Sequence, residues 1–273
     1  MLFNFSDDEL NEDFLNILLA DRTTGKNIIW ATNNLDEGCA ATDEITPDRA
    51  TLIQPRFSKS AQNKKFRVRD KAEVFTPAWI CNEQNNSVDE NFFDGEKLRK
   101  ELWRDYVKAT RLEITCGEAP YLVSRYDATT GEEIPLEKRI GLLDKKFRAI
   151  HENVTDIDEW TTWATLAVQS IYGYEFQGDN LFLARKNIFF SCIEYFKQDF
   201  YSEPPIEFLK GISEIISWNL WQMDGLTNAI PYYKPLEKNS AQVNLFETKN
   251  VYCKIKDWQT NEVVDFRKIR GSR

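Results

Sequence analysis

Apolar residues recur at helical spacing in three stretches of the chain, and each stretch predicts an amphipathic helix. The first stretch covers residues 5–20, where Ser6 and Glu9 stand at the two positions of a capping box. The second covers residues 158–172, and the third covers residues 181–200. These three helices are the strongest periodic signals in the sequence.

Short apolar runs between the polar stretches predict the strands. Residues 111–115, 139–143 and 174–177 are the clearest runs, and each ends beside a glycine or an acidic residue. Residues 212–218 fit either a fourth strand or the end of a buried helix, because periodicity does not separate the two. Strands that alternate with helices indicate an α/β fold with an open, largely parallel sheet.

Two further elements complete the pattern. We expect a helical segment at residues 120–126, directly after the first strand. Residues 251–255 and 263–266 flank a turn sequence and predict a C-terminal hairpin at about residues 250–269. Because ligands of open parallel sheets bind at the carboxyl ends of the strands, the residues that follow each strand are the candidates for a functional site.

Acidic or amide residues stand at the four predicted strand ends: Glu113 with Gly117, then Asp144, Asp179 and Asn219. Each alone is ordinary, since an aspartate after a strand is usually a helix cap. In this order they fit a nucleoside-cofactor site. The glycine lets the backbone approach the ligand, and the acid after the second strand can bind ribose hydroxyls. The acid after the third strand can accept from an adenine amino group.

Composition narrows the class of protein. The chain has 273 residues, of which 42% are hydrophobic and 29% are charged, with one histidine, His151. It contains no apolar run that could span a membrane, and its acidic start lacks the basic residues of an export signal. The five cysteines form no CxxC pair, which argues against disulfides and zinc. We therefore expect a cytoplasmic protein without a metal site.

The charge of the chain is unevenly distributed. The net charge of −9 argues against a general nucleic-acid binder. Residues 56–71 nevertheless carry seven basic side chains and one acidic one. This basic strip is either a solvated arm or a surface that contacts DNA phosphates through Lys64, Lys65, Arg67 and Arg69.

The pattern also suggests a domain organisation. Residues 33–65 are polar and aperiodic, which predicts a long loop. We expect residues 1–70 to form an N-terminal helical and loop arm that carries the basic strip. Residues 71–273 would then form the main domain, in which strands and helices alternate.

Two motifs resemble a known family. Residues 73–77, with the sequence EVFTP, resemble the F-T-P element that opens the methyltransferase domain of restriction–modification methylation (M) subunits. Residues 112–122, LEITCGEAPYL, resemble the D-P-A-C-G-T-G-x-F-L loop of that family. The likeness extends through the string ISWNLWQMDG. It implies a Rossmann-like, class I S-adenosylmethionine-dependent methyltransferase sheet.

The resemblance implies which residues would hold S-adenosylmethionine. The matching positions of the two motifs are Phe75, Thr76, Pro77, Glu113, Cys116 and Gly117. Asp144 matches the acid that binds ribose, and Asp179 matches the G-D element near the adenine ring. The second glycine of the family's loop is replaced here by Ala119 or Pro120, a departure that would reshape the loop around methionine.

The catalytic motif is less clear. In the adenine-N6 members of this family, N-P-P-Y holds a flipped adenine through an asparagine oxygen, a proline carbonyl and a stacking ring. No N-P-P-Y occurs in this chain. Residues 218–224, WNLWQMD, are the candidate replacement, with Asn219 past a strand end as the acceptor and Trp221 as the ring. The alternative is a buried aromatic helix start with a polar cap.

The resemblance implies methylation of DNA in a restriction–modification or mobile-element setting. Adenine N6 is the expected target, although cytosine N4 methylation uses the same catalytic pattern. Because little sequence follows Asn219, we expect a specificity or restriction subunit as a partner, and no membrane. The missing N-P-P-Y and the acidic charge favour an alternative, a catalytically degenerate binding subunit. A nuclease ranks last, because the chain has no nuclease motif.

Overall fold

A computed structural model describes residues 9–33, 38–71, 73–95, 97–232 and 250–270. The N-terminal elements are α1 (Glu12–Leu19), β1 (Ala20–Asp21), β2 (Lys26–Asn27), α2 (Pro47–Ala50), a 3-10 turn (Arg56–Ser58) and α3 (Ala61–Lys71). They are followed by α4 (Ala78–Asp89), β3 (Phe93–Asp94), β4 (Lys97–Leu98), a 3-10 turn (Lys100–Leu102), α5 (Trp103–Lys108) and β5 (Arg111–Ile114). The remaining elements are a 3-10 turn (Leu136–Lys138), α6 (Leu142–His151), α7 (Ile157–Gln169), β6 (Ile171–Glu175), α8 (Gly178–Phe200), α9 (Ile206–Asn219), β7 (Leu220–Gln222), β8 (Lys254–Asp257), β9 (Glu262–Asp265) and α10 (Phe266–Arg270).

A parallel sheet of three strands, in the order β5–β6–β7, lies at the centre of the fold. Helices α6 and α7 connect β5 to β6, and helices α8 and α9 connect β6 to β7. Parallel strands require long crossovers of this kind. The register places Glu113 beside Gly173 and Gly173 beside Leu220. The predicted α/β class with a parallel sheet is therefore confirmed.

The two faces of this sheet are covered differently. Ile171 and Leu220 belong to the main hydrophobic core, together with apolar residues of the helices. Trp221, on the opposite face, packs in a smaller core with Ile255 and Phe266 of the C-terminal hairpin and α10. Burying apolar side chains is the main stabilising contribution in both cores. One face is thus covered by helices and the other by a single hairpin.

A buried arginine ties the N-terminal segment to the sheet. Arg185 of α8 donates to the carbonyls of Leu18 at 2.7 Å and Ala20 at 3.0 Å. The same guanidinium donates to the carbonyls of Leu220 at 2.6 Å and Ser217 at 3.2 Å. Burial lowers the pKa of this side chain to about 9. The end of α1 is thereby held against β7.

The structure corrects two of the predicted elements after β5. Residues 139–143 are not a strand, because Gly141 is the N-cap of α6 and its amide donates to the Asp144 carboxylate at 3.1 Å. Residues 120–126 form turns rather than a helix. The amides of Leu122 and Ser124 are taken by side-chain carboxylates of Glu113 and Asp144, and such bonds compete with a helical ladder.

Residues 212–218 belong to helix α9, which resolves the ambiguity of that apolar run. The hydroxyls of Ser213 and Ser217 each donate to a carbonyl three residues earlier, so they are satisfied within the helix. Asn219 is the last residue of α9. The expectation that it follows a strand end is therefore wrong.

Several other predictions are confirmed with shifted bounds. The first helix begins at Glu12 and is capped by Asn11, whose side chain accepts from the Phe14 amide at 3.0 Å, while Ser6 lies outside the described residues. The long helices of residues 158–172 and 181–200 correspond to α7 and α8. The C-terminal hairpin is β8–β9. No helix in the described ranges is long and apolar enough to cross a bilayer.

Candidate functional site

A cleft of about 650 Å³ opens at the carboxyl ends of β5 and β6. One wall is the segment before α4, and the others are the loop after β5 and the end of β6. Among the residues that line it are Phe75, Thr76, Glu113, Cys116, Gly117 and Glu175. Pro77 lies just behind this wall as the N-cap residue of α4. Five of the six residues that the two motifs assign to the cofactor therefore line one cleft.

The loop after β5 is tightly turned. Thr115, Gly117 and Ala119 have φ angles of 47°, 54° and 63°, a left-handed region that favours glycine. A Cβ on Gly117 would lie 3.3 Å from the Phe75 ring, so the glycine permits a close approach. Ala119 keeps a glycine-like backbone although it carries a side chain. The loop thus retains the backbone of a glycine-rich turn at a cost in strain.

Two buried carboxylates form the floor of the cleft. Glu113 accepts hydrogen bonds from the amides of Tyr121 at 3.4 Å and Leu122 at 3.2 Å. Glu175 accepts from Gly117 at 2.8 Å and Gln177 at 3.0 Å. In the described part of the chain, neither carboxylate forms an ion pair. They are acceptors held in place by backbone amides.

Burial changes the acidity of both floor residues. It raises the pKa of Glu113 well above its usual range, and the nearby charge of Glu175 adds to the effect. Burial likewise raises the pKa of Glu175 to about 7. Perturbed carboxyl groups in a cleft are typical of binding and catalytic sites. A cationic ligand would favour the ionised form of both groups.

Asp179 lies beside this floor but is already neutralised by basic residues. Arg67 donates to its two oxygens at 2.8 and 3.0 Å, and Lys59 donates at 2.7 Å. Burial alone would raise the pKa of Asp179, but these two cations lower it below the usual range. Arg67 also bonds to Glu73 at 2.7 Å. The predicted adenine-binding acid and a predicted DNA-binding arginine are thus partners of one another.

Asp144, the predicted ribose-binding acid, lies outside the cleft. It is fully buried at the first turn of α6, where one oxygen accepts from the amides of Ser124 at 2.8 Å and Gly141 at 3.1 Å. Burial raises the pKa of its carboxyl. Residues 139–143 lead into α6 and form no strand, so Asp144 does not lie at a strand end. Its observed contacts are those of a helix cap.

The predicted catalytic pair also lies away from the cleft. The Asn219 amide donates to three carbonyls, those of Val168, Gln169 and Ile171, at 2.8–3.2 Å. Its oxygen accepts from Trp258 at 2.7 Å. Trp221 is 3% exposed and packs in the smaller core on the other face of the sheet. Both side chains therefore make structural contacts. Asn219 precedes β7, so it does not lie at the carboxyl end of that strand.

The remaining basic residues of the strip are on α3. Lys64 donates to the Phe57 carbonyl at 2.7 Å and is half-buried. Lys65 and Arg69 are exposed. Of the four predicted phosphate contacts, the structure thus leaves these two on the surface, whereas Arg67 is 3% exposed. Contact with DNA stays a prediction for them.

Sequence reasoning missed Glu175. It followed the apolar run to Gly178 and Asp179, whereas β6 ends at Glu175. The alternation of Ile171, Gly173 and Glu175, which are buried on one side of β6, was the available signal. An acidic residue that closes such an alternation lies at the carboxyl end of the strand, where ligands of parallel sheets bind.

The described residues contain no cluster of three histidine, cysteine or acidic side chains that could hold a metal ion. Burial raises the pKa of the Cys116 thiol well above its usual range, which does not suit a nucleophile. Comparisons with protein-family profiles, with curated proteins and with solved structures find no match for this chain.

Proposed function

We propose that this cleft binds S-adenosylmethionine and that the chain is the cofactor-binding unit of a DNA methyltransferase whose expected target is adenine N6. The observation that carries the proposal is the floor of Glu113 and Glu175, two buried carboxylates at neighbouring strand ends. A ligand that fills the cleft must supply positive charge or hydrogen-bond donors. S-adenosylmethionine has a sulfonium, an ammonium group and a ribose diol, which fit this requirement.

The roles of the chain's own residues follow from their geometry. Each oxygen of Glu175 accepts one backbone amide, from Gln177 or Gly117, and keeps a lone pair that can accept from a ribose hydroxyl. Gly117 lines the cleft without a side chain, which leaves room for the Phe75 ring, and this ring offers an apolar wall beside it. Bound S-adenosylmethionine would supply an electrophilic methyl group for transfer to the amino nitrogen of a base.

A second candidate function is a binding subunit that holds the cofactor without turning it over. The buried positions of Asn219 and Trp221 favour it, because these were the residues assigned to base recognition. In that case the acceptors for a flipped adenine come from a partner subunit. Both candidate functions use the same cofactor. They differ only in whether this chain or a partner subunit supplies the catalytic segment.

Calorimetric titration with S-adenosylmethionine tests the shared part of the proposal. We expect binding by the wild type and at least tenfold weaker binding by Glu175→Gln. Glu214→Gln is the matched control, because Glu214 is exposed on α9, and it should bind as the wild type does. Equal affinity in the wild type and Glu175→Gln would remove this cleft as the cofactor site.

Transfer of a labelled methyl group to unmethylated DNA separates the two candidates. Transfer by the purified chain supports the enzyme. Cofactor binding without transfer, together with transfer after a partner subunit is added, supports the binding subunit.

A further inference from the structure

The outer side of strand β5 has unused hydrogen-bonding capacity. Within the described residues β5 pairs with β6 alone. The Arg111 amide donates to the Ser170 carbonyl at 2.9 Å, on the β6 side. Because successive residues of a strand point their amides to opposite sides, the amides of Leu112 and Ile114 face the open side.

The side chains on this edge are apolar and exposed. Leu112 is 47% exposed and Ile114 is 63% exposed. Val88 of α4, 53% exposed, lines the same cleft as these two residues. Natural proteins usually protect sheet edges with charged residues, proline or a covering element. Among the described residues this aliphatic edge is uncovered, which indicates a surface for a further polypeptide segment.

The open edge runs between two clefts whose titratable side chains differ. The cofactor cleft, with its acidic floor, lies on one side. A second cleft of about 820 Å³ lies on the other, between the sheet and the C-terminal hairpin, and shares Thr110 and Leu112 with the first. Its lining carries three lysines against one acid, and they are Lys108, Lys256, Lys268 and Asp257. Its other walls are mainly apolar.

We propose that β5 is completed by a fourth strand, an extended segment of a partner protein. Side chains of such a strand alternate between the two sides of the sheet. Those on the side of Leu112 meet the lysine-lined apolar cleft, which Leu112 lines, and should be aliphatic or acidic. Those on the other side meet the acidic floor and should be amide or basic. Charge complementarity therefore specifies the alternating pattern of the partner segment.

This inference does not depend on which molecule fills the cofactor cleft. Main-chain hydrogen bonds to Leu112 and Ile114 supply affinity, and the two clefts supply specificity, as in other cases of strand addition. Binding of the segment can therefore be measured without cofactor, and its failure would leave the cofactor proposal standing.

A phage-displayed library of random linear peptides, selected against the full chain, is the probe. The most enriched peptide is then synthesised and titrated against the wild type. We expect enriched sequences with the alternating pattern, and slower hydrogen exchange at the amides of Leu112 and Ile114 in the complex. Selection of peptides that leave these two amides unprotected would overturn the proposal, as would no enrichment over a library control.

Two variants locate the binding edge. Leu112→Pro removes one open-side amide without touching the bond to β6, and Ile114→Lys adds the charge that protects natural edges. Each should weaken peptide binding at least tenfold, whereas Leu112→Thr, which keeps the amide, should weaken it less than Leu112→Pro. Unchanged binding by folded Ile114→Lys would overturn the proposal even where Leu112→Pro does not fold. A concentration-dependent dimer that Ile114→Lys abolishes would assign the edge to a second copy instead.

Discussion

The backbone amide of Gly117 donates to the carboxylate of Glu175 at 2.8 Å, and this bond joins the loop after β5 to the end of β6. The two sides of the cleft are therefore fastened together. A ligand that bonds to the Glu175 carboxylate also acts on the position of the loop. Through this bond, the charge on the Glu175 carboxylate is coupled to the position of the loop after β5.

The pH dependence of cofactor binding should follow from the acidity of Glu175. Its pKa is raised to about 7 by burial, so the carboxyl is largely protonated below that pH and is then a weaker acceptor than the carboxylate. We expect affinity for S-adenosylmethionine to rise with pH up to about 7 and to level off above it. Calorimetry between pH 5 and 8 measures this, with Glu175→Gln as a control whose profile should lack that step. A flat profile in the wild type would contradict the assignment.

The same raised pKa makes a prediction for stability. A carboxyl whose folded-state pKa exceeds its unfolded value destabilises the fold once it must ionise. Without ligand, the free energy of unfolding should fall as pH rises from about 4.5 to about 7, by roughly 3 kcal/mol at most from this group. Glu175→Gln should remove that part of the slope in denaturant unfolding. A variant slope identical to that of the wild type would show that Glu175 ionises freely in the folded protein.

Replacing Gly117 should impair both the cleft and the fold. Gly117→Ala places a Cβ at a φ of 54° and 3.3 Å from Phe75, and a left-handed alanine costs about 1–2 kcal/mol. We expect cofactor affinity to fall by about tenfold. Gly211→Ala is the matched control, because nothing lies within 4 Å of its Cβ and it sits in α9. That control should keep its affinity and gain up to about 1 kcal/mol of stability.

Neutralisation of two residues of the basic strip should change the stability of the fold to very different extents. Arg67→Met leaves two buried carboxylates, Asp179 and Glu73, without their shared partner. Removing one side of a buried ion pair costs about 3–5 kcal/mol, so this variant should unfold at much lower denaturant. Lys65→Met, which changes an exposed side chain, should alter stability by less than about 0.5 kcal/mol. Equal stability of the two variants would contradict the ion network.

A DNA contact through Lys65 has a separate signature. If it contacts a phosphate, the slope of log affinity against log salt should become shallower by about 0.9 in Lys65→Met. An unchanged slope would leave α3 as a solvated surface.

Asn219→Ala should affect folding rather than cofactor binding. Three carbonyls lose one donor each and the Trp258 indole loses its acceptor, and each buried group left unsatisfied costs about 1–3 kcal/mol. We expect a loss of roughly 2–4 kcal/mol in chemical denaturation. The affinity of the folded fraction for S-adenosylmethionine should be unchanged. Wild-type stability in this variant would show that these bonds are not formed.

The fold was predictable where the periodic pattern of apolar residues extends over many residues. Helices α7 and α8 carry enough turns for the pattern to stand out, and the hairpin β8–β9 has a turn sequence between two apolar runs. The segment around Gly141 was not predictable, because an apolar run of a few residues suits a strand as well as a helix start. The deciding contact was the carboxylate of Asp144 at the N-terminus of α6.

Only the part of the candidate site that lies in local motifs was predictable from the sequence. Phe75, Glu113 and Gly117 were found from local motifs, since a motif fixes backbone geometry within a few residues. Asp179 is the second residue of α8, and its partner Arg67 is more than a hundred residues away in the chain. Pairings at that separation are set by packing, which no local pattern encodes.

The carbonyl cage around Arg185 has a consequence for how the molecule unfolds. Its guanidinium is surrounded by carbonyls from the end of α1 and from the junction of α9 and β7. If the N-terminal segment detached, a buried cation would lose half of its acceptors while still enclosed by the sheet. Local fraying of that segment is therefore penalised, and α1 and the sheet should lose their structure in one cooperative step.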